Sequence, residues 1–328
     1  MKLSDFDYKL PKEFIAQHPV SPRCNSKLMV IGKKIEHKRF YDIIHYLKKD
    51  DVLVLNETKV IPAKLVGRKT TGAKVELIIE HPLGNKGLCR IKATKPRVGN
   101  KFIIGQYKAE IIKLENDIFT VEFNEDVSTI MKKIGKLPTP PYVKEELRKD
   151  SDYQTVYSKK KGSVAAPTAG LHFTEELLDQ LNKKGVKIAK VCLHVSFGTF
   201  LPVRNLKTHK MHPEYFEIDK KNADIINNRN GRLFVVGTTS VRVLETVADK
   251  NGRIHAKKGE TSLFIKPGYR FKTNIDSLIT NFHLPRSTLL MLVSAIIGRK
   301  RILEAYNIAI KKNYRFYSFG DSMLVFIE

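Results

Sequence analysis

The sequence predicts a multidomain α/β protein: an α/β sheet domain that carries an inserted small antiparallel β-barrel. Three observations lead there. Residues 151–328 alternate strand-like and helix-like segments, the pattern of a largely parallel sheet with helices on its faces. Residues 63–140 hold short runs rich in β-branched residues, separated by Gly, Pro or Asn-Asp. The chain has 328 residues, which at roughly 150 per domain gives two. The expected boundaries are 1–61 and 151–328 for a discontinuous α/β domain, and 62–150 for the inserted barrel.

Taken in order, residues 41–51 (YDIIHYLKKDD) have helical apolar spacing at Ile43, Ile44 and Leu47, and Val52–Asn56 (VLVLN) reads as a buried strand. Pro62 would disrupt a central strand and marks a domain edge. AKVELIIEH, LCRIKAT, KFIIG, YKAEIIKL and DIFTVEF read as five or six antiparallel strands, with Asn116-Asp117 as a hairpin turn. No helix there is long enough to cover them, so closure into a barrel is expected. KLPTPPYV, residues 136–143, reads as a proline-rich exit. TEELLDQLNKKG is a helix with Thr174 as N-cap, two acids in its first turn and Gly185 as its stop. VKIAKVCLHV is a strand, NADIINNRNG a short helix, and RLFVVGTTSVRVLETV a strand, tight turn and helix. SLFIKPGY reads as a strand, and RSTLLMLVSAIIG and KRILEAYNIAIKKN as helices.

The net charge of +25 favours a polyanionic partner. Lysine outnumbers arginine 43 to 16, however, which AT-rich codon usage also produces. MKLSDFDYKLPKEF has no apolar stretch of signal-peptide type. The longest apolar run, LLMLVSAII, is far short of the roughly 20 residues that span a bilayer. A cytoplasmic protein without membrane contact is expected. Cys24, Cys89 and Cys192 are odd in number and widely spaced, which argues against a disulfide framework or a zinc site. No GxG, GxxxxGK[ST], HExxH, GxSxG or HxE…PCxxC pattern occurs, leaving little support for phosphoryl transfer, zinc hydrolysis or serine hydrolysis.

Several loops carry polar residues that plain connection does not require. In APTAGLHFT, Thr168, His172 and Thr174 precede a helix, where small residues let a backbone approach a ligand and the helix N-terminus favours an anion. The ordinary reading of His172 alone is a surface or capping histidine. His194 and Ser196 follow a strand, where α/β sites lie, although a packed strand-end histidine is the commoner case. His212 and Glu214 are two apart and would share one side of an extended segment as an acid/base pair; a surface pair serves equally well. Thr238, Thr239 and Ser240 open a helix after Gly237, suited to a carboxylate or phosphate or to simple capping. Asn281, His283 and Arg286 precede a buried helix, and Gly320-Asp321 makes a turn.

Together GSVAAPTAGLHFT, LHVSFGTFLPV, MHPEYFEI, VGTTSVRVLE, LITNFHLPRSTLLMLVSA and YRFYSFGDSMLVF resemble, in order and spacing, the motifs of the S-adenosylmethionine:tRNA ribosyltransferase-isomerase family of queuosine biosynthesis. FDYKLPKEFIAQHP and VLNETKVIPAKL match as well, so the similarity covers essentially the whole chain. Cys24-Asn25-Ser26-Lys27 stands where Asp-x-Ser-Arg is usual, Glu57 and Lys59 replace Asp and Arg, and Ser196-Phe197 replaces smaller residues.

The resemblance implies transfer and isomerisation of the ribosyl part of S-adenosylmethionine onto 7-aminomethyl-7-deazaguanine at the tRNA wobble position. Epoxyqueuosine forms, and adenine and methionine are released. It implies S-adenosylmethionine as co-substrate, no prosthetic group, no metal, and a tRNA anticodon loop as partner. A monomer is expected, although nothing in the sequence fixes the oligomeric state. Acid and base are expected among His172, His194, His212, Glu214 and His283, without assignment of which is which. Thr238, Thr239, Ser240 and Arg242 would hold the methionine carboxylate or a phosphate. Phe173 or Phe200 would face the sulfonium, worth about 1–2 kcal/mol when desolvated. Thr168, Thr174, Ser196, Gly198, Thr199, Asn281, Arg286 and Asp321 complete the expected substrate-binding set. An RNA methyltransferase and a non-catalytic RNA-binding protein are the alternatives.

Overall fold

The computed structural model describes residues 1–327 except 116, 201, 202, 204 and 207. In chain order the strands are Lys27–Ile31 (β1), Ile35–Arg39 (β2), Val52–Asn56 (β3), Thr58–Val60 (β4), Lys64–Lys69 (β5), Lys74–Leu83 (β6), Lys86–Lys92 (β7), Lys101–Ile104 (β8), Tyr107–Glu115 (β9) and Ile118–Phe123 (β10). They continue as Lys160–Ser163 (β11), Lys187–Leu193 (β12), Glu214–Ile218 (β13), Leu233–Val236 (β14), Lys257–Thr261 (β15), Ser277–Asn281 (β16) and Ser322–Phe326 (β17). The α-helices are Val127–Ile134 (α1), Glu175–Lys183 (α2), Lys220–Asn227 (α3), Thr238–Val247 (α4), Thr288–Ile297 (α5) and Arg299–Lys311 (α6). The chain divides into one unit of Met1–Lys59, Pro140–Lys160 and Ala166–Glu328, and another of Val60–Thr139 and Lys161–Ala165.

The first unit is built on a nine-stranded sheet ordered β15-β13-β12-β3-β14-β16-β17-β1-β2. Its centre is the wholly buried β3, flanked in parallel by β12 and β14, with β16 parallel to β14. A run buried on both faces has no alternation to show, which is why VLVLN reads as continuous apolar sequence. Beyond the centre the sheet is mixed rather than largely parallel: β13 and β15 add antiparallel on one side, and β17 runs antiparallel to β16 on the other. β1 is parallel to β17, and the short turn after Ile31 returns β2 antiparallel, as a connection too short for a crossover must. One face carries Leu28, Val30, Leu53, Leu55, Phe234, Val236 and Leu324, packed on Phe40, Ile43, Phe173, Leu177 and Leu181.

Capping follows the sequence. Thr174 Oγ1 accepts from Leu177 N at 3.2 Å and Gly185 takes φ 87° after α2. Residues 41–51 form only a 3-10 helix, Phe40–His45. The strand expected at SLFIKPGY lies earlier, at β15, whose KKGET sequence has no apolar signal. β16 and β17 were not anticipated either: SLITN and SMLVF sit inside segments that read as loops. LLMLVSAII is the buried helix α5, capped by Ser287. Among the described residues no helix is long and apolar enough to cross a membrane.

The second unit is a closed antiparallel barrel of six strands, β10-β7-β6-β5-β8-β9. Period-two burial along β10 turns Phe119, Val121 and Phe123 inward. Gly67 permits the closure between β5 and β8, because a Cβ there would stand 2.3 Å from Ile103 O. The β9–β10 hairpin is present, with Asp117 at φ 64°; Asn116 lies outside the described residues. An unexpected element is α1, a short helix capped by Asp126 that buries Val127, Ile130 and Met131.

Candidate active site

The site forms where four segments of the first unit end at one edge of the sheet. β12, β14 and β16 all finish there, and a cleft lies beyond them, as expected for the carboxyl ends of parallel strands. β12 delivers Val195, and the following 3-10 turn Phe197–Phe200 brings Thr199 and Phe200. β14 runs into Gly237 at φ 82°, a conformation that suits glycine, and α4 begins at once with Thr238 and Thr239. β16 ends in Thr280 and Asn281, followed by Phe282 and His283. Pro167, Thr168 and Ala169 of the turn Thr168–His172 form another wall, and Tyr142, Tyr317 and Ser318 close the rim.

Among the described lining residues none is an acid, a lysine or an arginine. His283 is also held neutral, since burial pushes its pKa down to about 3. Its Nε2 meets Thr280 Oγ1 at 2.8 Å and its backbone N–H donates to Tyr306 Oη at 2.8 Å, while its carbonyl accepts from Tyr8 Oη. Asn281 donates from Nδ2 to Tyr317 O at 2.9 Å, which fixes its carboxamide. Tyr317 itself sits at φ 70°, a position uncommon for a bulky residue. Tyr142 packs at a tilt against Tyr317 and edge-to-face with Phe200, with ring centroids 4.7 and 6.0 Å away, and shares a 2.7 Å hydrogen bond with Ser318 Oγ. Burial pushes the Tyr142 phenol well up, so it stays protonated.

The expected site residues divide sharply. Thr168, Thr199, Thr238, Thr239, Asn281 and His283 line the cleft, as does Phe200. His172 is 4% exposed and packs inward: its ring stacks on Phe40 at 5.0 Å and its Nδ1 meets Ser26 Oγ at 2.8 Å. Burial lowers its pKa to about 4, with the Asn281 side chain opposing and Arg315 and Arg23 adding to the fall. Phe173 is fully buried against Phe40, and Thr174 serves as the cap of α2. His194 points to the other side of its strand from Val195, stacks on Tyr215 at 5.3 Å and bonds Thr58 Oγ1 at 2.7 Å.

His212 is exposed, whereas Glu214 is buried and ion-paired with Arg242. Glu214 Oε1 also accepts from Ser196 N at 2.8 Å and from Thr199 Oγ1 at 3.5 Å, and Arg242 Nε donates to Leu263 O at 2.9 Å. The pair thus ties the 196–200 turn, which includes Gly198, to α4. Ser240 Oγ donates back to Val236 O, the last residue of β14, at 2.7 Å. Arg286 pairs with Asp7 at the surface, and buried Asp321 accepts from Lys27 N and Arg315 N, at 2.8 and 2.7 Å. Among the described residues no three His, Cys, Asp or Glu side chains converge as metal ligands. Among the cleft residues that sequence reasoning missed are Tyr142, Tyr317 and Ser318. Tyr142 was hidden in a proline-rich exit, and the only signal for the other two was their place beside the Gly320 turn.

The family model described as "Queuosine biosynthesis protein" matches residues 3–325. The chain belongs to the queuosine biosynthesis protein family. It is 52% identical to the S-adenosylmethionine:tRNA ribosyltransferase-isomerase of Acetivibrio thermocellus, over 99% of this chain and 100% of that protein. With the enzyme of the same name from Clostridium kluyveri the identity is 48%, at 99% and 100% coverage. The crystal structure of the S-adenosylmethionine tRNA ribosyltransferase of Thermotoga maritima matches at a TM-score of 0.57 and 37% identity, covering 98% of this chain and 100% of that one. The cleft of this queuosine biosynthesis protein is therefore built from the same segments that carry the family resemblance.

Proposed function

We propose that this protein transfers and isomerises the ribosyl moiety of S-adenosylmethionine onto the aminomethyl group of 7-aminomethyl-7-deazaguanine at the tRNA wobble position. The product is epoxyqueuosine, with adenine and methionine released. The names of its full-length relatives support the reaction class. The observation that carries the reading is the cleft's chemistry: a threonine-rich pocket, without a charged side chain among its described lining residues, rimmed by Tyr142, Phe200 and Tyr317. Aromatic faces attract a sulfonium without the desolvation cost of a buried carboxylate. Thr168, Thr199, Thr238 and Thr239 offer hydroxyls to a ribose or purine.

The sulfonium acidifies the adjacent C5′ protons, so a base is required near that carbon, and departing adenine requires a proton. His283 is the histidine that faces the cleft, and a neutral imidazole can accept the first proton and deliver it later. The target base must leave the anticodon stack to enter. The reaction needs S-adenosylmethionine as co-substrate and takes place in the cytoplasm. Incubation with S-adenosylmethionine and tRNA carrying the precursor base, followed by nucleoside mass analysis, tests the proposal. Epoxyqueuosine with free adenine and methionine is expected; a methylated nucleoside with S-adenosylhomocysteine overturns it.

A further inference from the structure

A second feature lies on the same edge of the sheet as the cleft. The hydrogen-bond register runs in one row from Asn281 to Ser322, then to Leu28, then to Lys38. Three strand spacings of about 4.8 Å put the Lys38 backbone roughly 14 Å from the floor of the cleft. There the ends of β1 and β2 and the end of α6 border an open groove lined by Lys27, His37, Lys38, Arg39, Asp42, Lys312 and Tyr314.

The groove is cationic and its charges are poorly compensated. Among the described residues no carboxylate lies within ion-pair distance of Lys27, Arg39 or Lys312, while Lys38 meets Glu36 only at an exposed 3.6 Å. Asp42 accepts from the Arg39 backbone N–H at 2.9 Å. The cations are held in place by neutral groups instead. Lys27 Nζ donates to Lys312 O and Asn313 O, both at 2.9 Å, and sits 5.2 Å from the Tyr314 ring centre. Arg39 Nη1 donates to Asn25 O at 2.9 Å. Lys27 thereby also serves the C-terminus of α6, which leaves Lys38, Arg39 and Lys312 as the docking charges, Lys38 with its exposed contact to Glu36.

We propose that this groove binds the phosphate backbone of the tRNA, next to the nucleotide inserted in the cleft. The inference rests on the functional reading above. Phosphates flanking the flipped base would cross the β16–β17–β1–β2 edge and meet the three cations in turn. Backbone contacts of this kind fix register without reading sequence, which suits an enzyme whose specificity is for one modified base.

The test compares the double variant Lys38→Glu/Lys312→Glu with a matched control, Lys257→Glu/Lys258→Glu, whose exposed lysines lie on β15 at the far end of the same sheet. Binding of precursor-bearing tRNA is followed by fluorescence anisotropy across a potassium chloride series, and S-adenosylmethionine binding by calorimetry. The groove variant should bind tRNA at least about 10-fold more weakly and lose about 1.4–1.8 from the log–log salt slope. It should keep S-adenosylmethionine binding, and the control should match the parent. Unchanged affinity and slope in the groove variant, or equal losses in the control, overturn the groove while the parent's ribosyl transfer stands. If the parent itself neither binds nor modifies tRNA, the functional reading falls and takes the groove with it.

Discussion

The turn Thr168–His172 and the segment Asn281–His283 each present a histidine from a recognisable motif, yet the two histidines face opposite duties. His172 turns into the core between Phe40 and Ser26, whereas His283 stops at the wall of the cleft. The difference shows what makes a motif recognisable. In APTAGLH the glycine is demanded by packing: a Cβ on Gly170 would lie 1.9 Å from Tyr157 Oη and 2.9 Å from Thr155 Cγ2. Much of that segment is therefore constrained by the core behind the wall, and only Ala166 to Ala169 form the wall itself. In ITNFH the constraint is positional, since these residues follow a buried strand to the edge where ligands bind.

Exchanging the two histidines for glutamine tests this contrast most severely. His283→Gln should lower kcat by about 10²–10⁴-fold, the usual worth of a general acid or base, while S-adenosylmethionine still binds. His172→Gln should keep turnover within a few-fold and lose stability instead. Adenine release under saturating substrates gives the first quantity, and urea denaturation the second. A large kcat loss in His172→Gln at full folding, with His283→Gln near normal, would invert the assignment.

The buried pair Glu214–Arg242 extends the comparison from wall to support. Neither residue lines the cleft, but together they hold the turn that carries Thr199 and Phe200. Glu214→Ala leaves a buried guanidinium uncompensated and should cost about 3–5 kcal/mol of stability. Glu214→Leu/Arg242→Met should recover most of that loss, because an apolar pair of similar volume is often no less stable. It should not restore the KM for S-adenosylmethionine, since the Ser196 and Thr199 ties are gone. Full recovery of both would make the pair a packing element only.

Acid sensitivity follows from the same two histidines. Their folded pKa values, about 4 for His172 and about 3 for His283, lie below the ordinary 6.5 because burial penalises the charged ring. The unfolded chain therefore binds protons first as pH falls below about 6.5. Stability is full above that value and is lost on acidification at about 1.4 kcal/mol per pH unit for each ring, down to its folded pKa. Denaturation midpoints at pH 7 and pH 5 should fall less in either glutamine variant than in the parent. Equal falls would mean that both rings already find protons or water in the folded state.

Much of this architecture is legible in the sequence. The buried β3, the barrel's short strands, the strand–Gly237–helix unit and the caps of α2 all follow from local pattern. The missed pieces have physical causes. β15 is an edge strand paired along one side, so KKGET could stay polar. β16 and β17 are only five residues each, and polar segments of the site follow the one and precede the other, which makes them resemble loops. The His212–Glu214 pairing looked sound from spacing alone, but the Arg242 partner comes from 28 residues away and no sequence rule points to it. Tyr142 likewise reaches Tyr317 and Ser318 across 175 residues or more.

The smallest effect gives the finest division within the motif itself. Thr168 and Thr174 are six residues apart in GSVAAPTAGLHFT, one at the cleft and the other at the N-terminus of α2. Thr174→Ala removes one acceptor from the Leu177 N–H and should cost about 1 kcal/mol of stability, with kcat and KM unchanged. Thr168→Ala exposes no orphan donor at a helix end, so stability should hold while the KM for S-adenosylmethionine rises a few-fold. Paired measurements of melting midpoint and KM on the two variants decide it. If Thr174→Ala moved the KM and Thr168→Ala did not, the wall of the cleft would have to be redrawn to run through the helix cap.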